Sequence, residues 1–248
     1  MKKLTILFIL LSAVSMGQSV KIRELKRDST KWYIGTNEPA VAFPVITAHA
    51  KDISMKINSQ LIAAFADTEN WNNSFDAAID SAAATNLYSL GYEVTFNQNN
   101  VLSITLSIIT CGAYCTGWSA YFNFNITTGE QITMDDILIS AKKKAFEDMV
   151  KEEKTDALLD YKKEIKDELA KNTMDTSTYQ FALEIVDSEC INSISLKQFS
   201  LSDARLEIHD ECDFPHVIQG MGPDYKLEYQ YADISKFLSP DWKKILIK

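Results

Sequence analysis

The chain has 248 residues, and its 46% apolar content is enough for one large domain or two small ones. It carries 25 basic against 34 acidic residues, a formal charge of −9 that makes nucleic acid a poor partner. Acidity says little more, because soluble exported proteins are often acidic for solubility.

Residues 1–17 run from Lys2 and Lys3 through the apolar stretch Leu4 to Leu11 into small residues around Ser12, Ala13, Ser15 and Gly17. That order is a cleavable secretory signal. The apolar run is far below the roughly 20 residues needed to span a bilayer. Ser15 and Gly17 fit the small-x-small rule, so cleavage is expected before Gln18, and no membrane span is expected afterwards. The leader removes two basic residues and no acidic ones, so the mature chain carries about −11. An exported protein, periplasmic or secreted, is expected.

From Lys31 to Thr47 short apolar stretches are broken by Pro39 and Pro44, which suits edge strands or extended segments. Ile53, Ile57, Leu61 and Phe65 recur every four residues and predict an amphipathic helix. Asp67 to Ala84 reads as a loop and a second helical stretch. Tyr92, Val94 and Phe96 then alternate with polar residues, and the Asn97 to Asn100 turn leads into Leu102, Ile104, Leu106 and Ile108. This is a hairpin with one buried face. After the loop from Cys111 to Gly117, the residues Trp118, Ala120, Phe122, Phe124 and Ile126 alternate in the same way and complete a three-stranded antiparallel meander.

Thr128-Gly129 turns the chain, and Thr133 to Asp136 has the form of a capping box. The pair Asp135 and Asp136 is thereby read as helix-start chemistry before a metal or acid–base site. Ala141 to Lys171 reads as one or two helices whose charge run is a solvated face. Phe199 to Leu201 and Leu206 to Ile208 flank a turn at Ser202-Asp203-Ala204 as a second hairpin. Leu227, Tyr229 and Tyr231 form a last strand, and Ile234 to Leu238 a short closing helix. The fold class is α+β, an antiparallel meander with packed helices and disulfides.

Cys111, Cys115, Cys190 and Cys212 lie in the mature part, and an even number in an oxidising compartment indicates disulfides. Of three possible pairings, Cys111 with Cys115 and Cys190 with Cys212 is favoured, because each pair brackets a tight loop or a strand pair. A CxxxC followed by a distant single cysteine is not a zinc-ligand spacing, so no metal and no cofactor is expected.

The phrases "YEVTFNQNNVLSITLSI", "YFNFNITTGEQITMDDIL" and "PHVIQGMGPDYKLEYQYADISKFL" resemble a pair of bacterial extracytoplasmic domains of unknown function. These occur in the outer half of the RsiV anti-sigma factor and ahead of the catalytic domain of PdaC-type peptidoglycan deacetylases. The resemblance covers Val45 to Leu238 and implies two α+β domains, 18–128 and 129–248, behind the signal at 1–17. The family often carries Gly-Gly-Ala-His after its central hairpin, where this chain has Cys111, Gly112, Ala113 and Tyr114, so the histidine is replaced. An anti-sigma role needs a cytoplasmic segment, but only three residues precede the apolar run, and that role is not expected. A metal-dependent deacetylase needs an aspartate and a paired-histidine motif; His49, His209 and His216 lack that spacing.

The expectation is therefore a non-catalytic envelope module that binds a cell-wall glycan or an envelope protein. Tyr114, Trp118 and Tyr121 near the Cys111–Cys115 loop are its candidate binding residues, since aromatic rings stack on sugars and anchor protein interfaces. Against this, Trp118 falls on the core face of the alternation. The alternatives are a hydrolase of cell-wall material using His209, Asp210, Glu211 and His216, and a structural or assembly partner.

Overall fold

The computed structural model describes residues 18–28, 40–66, 74–171 and 176–247. A six-stranded sheet runs in the order β1 (Lys21–Asp28), β2 (Ala40–Thr47), β3 (Leu87–Gln98), β4 (Val101–Cys111), β5 (Cys115–Asn125) and β6 (Glu130–Gln131). All neighbours are antiparallel except β2 and β3, which are parallel and joined by α1 (Lys51–Ile62) and α2 (Phe75–Thr85). A parallel pair needs such a crossover, and the helices it supplies cover one face of the sheet. Ile57, Leu61, Ile62 and Ile79 close this first core against Leu90, Leu102, Ile104, Leu106 and Phe124.

Pro44 does not mark an edge strand, because β2 lies between β1 and β3. The proline is tolerated since pairing to β3 is confined to Val41↔Leu90, leaving most of that side without a ladder. Farther along the same strand, buried Asn58 of α1 replaces the missing ladder. Its side chain accepts from the Ile46 N–H at 2.8 Å and donates to the Ile46 carbonyl at 2.7 Å.

The β3–β4 hairpin turns on Asn99 and Asn100, at φ 52° and 64°, the left-handed pair that asparagine tolerates in a two-residue turn. The expected single buried face is corrected by a bulge: Val94 pairs with Ile104, but Phe96 pairs with Ser103, so Thr95 is the extra residue. The bulge turns Phe96 to the opposite face, where it joins a second core with Val101. Ser103 and Asn123, polar positions of the alternation, are buried on that face as well.

The second face is covered by the C-terminal half. A three-stranded antiparallel sheet, β7 (Phe199–Leu201), β8 (Arg205–Ile208) and β9 (Leu227–Gln230), packs its apolar side on α3 (Met134–Ile137), α4 (Lys143–Ala170) and α6 (Pro240–Leu246). Its edge strand β7 meets the large sheet through side chains. Ser103 Oγ accepts from the Leu201 N–H at 3.0 Å, and Asn123 Nδ2 donates to the Phe199 carbonyl at 2.7 Å. Thr133 starts α3 as its sequence indicates, with its N–H donating to the Asp136 carboxylate at 2.7 Å. The closing helix is not Ile234 to Leu238, which forms turns, but α6, begun by Pro240 at its first position.

The charge run of α4 is not wholly solvated. Phe146, Val150, Lys154, Leu158 and Ile165 form its buried stripe, and Lys154 is 1% exposed. Its ammonium donates to Asp210 Oδ2 at 2.7 Å and to the Ser193 carbonyl at 3.1 Å. After α4, a helix that the sequence reading missed, α5 (Thr176–Ile185), packs with Leu158 and Phe214 around the Cys190–Cys212 disulfide.

Candidate functional site

Cys111 and Cys115 face each other across the end of the β4–β5 ladder, with Cα atoms 4.0 Å apart, and are joined as a disulfide. The tip between them is only Gly112-Ala113-Tyr114. The segment expected as a loop up to Gly117 is strand from Cys115 onward, because Gly117 and Trp118 pair with Ile109 and Ile108. Tyr114 is 74% exposed at this tip and Trp118 is 42% exposed. The expectation that Trp118 packs in the core is corrected here: on its face the first core ends at Ile108, and every residue from Gly112 to Ser119 is exposed.

Trp118 instead lines a groove of about 500 Å³ between the outer end of β5 and residues 211–225. Phe214 and Tyr225 supply further aromatic surface, and Glu211, Asp213 and Asp224 supply carboxylates; among the described residues no lysine or arginine lines it. Cys212, disulfide-bonded to Cys190, fixes this wall to the end of the α5 segment. Tyr225 is held from behind, its hydroxyl donating to the Asp210 carbonyl, and burial together with the nearby carboxylates of Asp210 and Glu211 raises its phenol above the ordinary range. Rigid aromatic surface beside carboxylates suits a ligand with hydroxyls or amines to donate and a flat or cationic face to stack.

Farther along β5, Tyr121 stacks on His209 with ring centroids 3.5 Å apart and planes 5° apart. His209 Nε2 lies 2.9 Å from Ser200 Oγ, while Nδ1 is 3.9 Å from Glu207, too far for a hydrogen bond. Burial lowers the imidazole to about 4, so it is neutral near pH 7. Below its ordinary value near 6.5 the unfolded imidazole takes up a proton that the folded one refuses until about 4. Stability is therefore expected to fall as pH drops from 6.5 to 4, by about 2 kcal/mol after allowance for partial solvent access. Denaturant titrations at several pH values check this: His209→Gln, which keeps a planar polar group, should flatten the slope in that window, and an unchanged slope would reject His209 as its source.

No protein-family model matches the chain, and no curated protein matches it in sequence. Solved structures match it in fold. A member of the DUF3298 family from Bacteroides fragilis NCTC 9343 aligns at a TM-score of 0.58 and 16% identity, over 94% of this chain and 99% of that one. A DUF3298 family protein from Pseudomonas aeruginosa PAO1 aligns at 0.53 and 13% identity, over 91% and 96%. This chain has their fold. At such identities the likeness extends to architecture and not to residue roles.

The fold brings the two groups of candidate residues together. Trp118 shares its groove with Glu211, and Tyr121 touches His209, so the aromatic and the polar candidates lie along one strand. Asp210 is engaged by Lys154 and turned away from a role as free acid or base. The side chain of His216 lies outside the described residues. The sequence reading missed Phe214, Tyr225, Asp213 and Asp224; their signal was proximity to Cys212 in an irregular stretch whose ends are tied down. No helix among the described residues is long and apolar enough to cross a membrane.

Proposed function

We propose that the chain is an exported cell-envelope binding module without catalysis, and that the Trp118 groove seats its ligand, a cell-wall glycan or an envelope protein. In this reading residues 1–17 are removed, and 18–128 and 129–248 are two units like those of the RsiV and PdaC-type proteins. Their junction is the ligand site. The observation that carries it is an exposed tryptophan on a regular strand beside a groove with two further aromatic rings and three carboxylates. Phe214 and Tyr225 belong to the packing of the third core and form the fixed floor of the groove, whereas Trp118 is exposed on a regular strand where the core has ended, and recognition gives it a task.

The mature protein should bind when screened against insoluble peptidoglycan, soluble muropeptides and envelope-directed proteins, lysozyme among them. Trp118→Ala should weaken the interaction by about 2 kcal/mol and Tyr114→Ala by about 1 kcal/mol, each with little change in thermal midpoint, because both side chains are exposed. If both variants bind a verified ligand normally, the groove and the tip are removed from the site.

A further inference from the structure

We infer that the outer edge of β5 is a docking strand for an extended peptide bearing a lysine or arginine side chain. The inference rests on the binding-module reading for the position of the ligand and goes beyond it in naming the mode, backbone pairing, and the occupant, a basic peptide.

The direction of the backbone groups follows from the ladder. Gly112 N–H donates to the Tyr114 carbonyl at 2.9 Å, and the next pair, Cys111 and Cys115, has the close Cα spacing of a non-hydrogen-bonded pair. The two kinds of pair alternate in an antiparallel ladder. Gly117, Ser119 and Tyr121 therefore turn their N–H and C=O groups away from β4. Asn123, next in that series, does so visibly: its carbonyl accepts from the Ile132 N–H on the outer side at 2.7 Å. Strand β6 pairs only with Phe124 and Asn125. Among the described residues, no backbone group pairs with the amides of Gly117, Ser119 and Tyr121.

Open edges invite pairing, and proteins normally blunt them with charge, proline, a bulge or a cover. Two other edges of this fold are treated so. Strand β1, at the far side of the large sheet, carries six charged residues in KIRELKRD, and the edge of β7 is covered by Ser103 and Asn123. Strand β5, CTGWSAYFNFN, has no charged residue and no proline, and it runs in unbroken register with β4 from Cys115 to Asn125. The disulfide at its start holds the hairpin as a preformed template, which lowers the entropy cost of adding a strand.

The grooves at the two ends of this edge select the occupant. At Gly117 and Trp118 the carboxylates of Glu211, Asp213 and Asp224 line the wall, which calls for a cationic side chain. At Tyr121 and Asn123 a second groove of about 600 Å³ combines an apolar part, Ile132, Met134, Ile194 and Leu196, which suits an apolar side chain, with a charged part, Asp135, Lys143, Glu147 and Lys197, of balanced sign. An extended peptide rises about 3.3 Å per residue, so a basic and an apolar side chain six residues apart reach the two grooves on one straight strand.

The test uses the mature chain and a blocked heptapeptide, Lys-Thr-Val-Thr-Val-Thr-Leu, in isothermal titration calorimetry. Saturable binding is expected, at least tenfold weaker when alternate backbone nitrogens of the peptide are methylated and at least tenfold weaker when its lysine is replaced by glutamate. Ser119→Pro should also weaken binding at least tenfold, because proline is accommodated where an N–H points out of a ladder but removes the central donor. Ser119→Ala, which keeps that donor, should bind as wild type. Equal affinity for the methylated peptide, or no saturable binding of the unmodified one at millimolar concentration, overturns the inference. So does a dimer in sedimentation that Ser119→Pro dissolves, since it assigns the edge to a second copy of the chain. A protein that binds peptidoglycan through Trp118 yet ignores backbone methylation keeps the binding-module reading and loses this one.

Discussion

Replacing Lys154 by methionine is expected to lower the free energy of unfolding by about 3–5 kcal/mol, the largest effect of any single substitution considered. The loss does not measure the strength of an attraction. The side chains of Lys154 and Asp210 are 2% and 10% exposed, so removing the ammonium leaves a desolvated carboxylate and strips the Ser193 carbonyl of its donor. Methionine matches the length of the lysine stem and fills the α4 stripe, which separates the electrostatic loss from a cavity. Urea unfolding followed by tryptophan fluorescence measures it. The double variant Lys154→Met/Asp210→Leu should recover most of the loss, because the orphaned charge is gone. A single-variant loss below about 1 kcal/mol would show that water reaches Asp210.

The second large effect is expected at Cys190–Cys212. Serine at both positions should cost about 3 kcal/mol, since the bond closes a loop of more than twenty residues around β7 and β8 and restricts the unfolded chain accordingly. For a chain of this size that is a fall of roughly 6–12 °C in thermal midpoint, readable by calorimetry with and without the substitutions. Ligand binding should weaken with it, because Cys212 stands between Glu211 and Asp213 in the groove wall. The same exchange at Cys111–Cys115, which encloses only three residues, should cost about 2 kcal/mol. A smaller loss at Cys190–Cys212 than at Cys111–Cys115 would contradict the loop-entropy account.

The meander, the two hairpins, α1 and the Thr133 start of α3 were legible because periodicity and turn chemistry are local. What failed was non-local. Alternation put Phe96 with Tyr92 and Val94, and nothing in those residues marks Thr95 as a bulge; the partner strand imposes it. Ser103 and Asn123 read as solvent-facing because polarity on an alternating strand normally means water, whereas here it means the edge of another sheet. Lys154 sits at the four-residue spacing between Val150 and Leu158, a position whose burial can be inferred once the stripe is drawn, but the surrounding run of charges masked it. Strand β1 was hidden by its own charge, which suits an edge. As for the site, Trp118, Tyr121 and Glu211 were named from sequence, but as members of rival hypotheses. Only the packing of residues 209–225 beside β5 brings Glu211 into the groove of Trp118 and His209 onto Tyr121.

Because the bulge at Thr95 sends Phe96 into the core that Val94 avoids, β3 is a party wall whose two sides are finished for different rooms. A fragment ending at Thr128 would keep its own helices yet present Phe96, Val101, Ser103 and Asn123 to water, and the missing half would leave the β7 edge without its donors and acceptors. Neither half is a spare part. Melting is then expected as a single cooperative transition in calorimetry, since the loss of either side strips the other, and shuffling these halves among proteins would require that the shared strand travel with both.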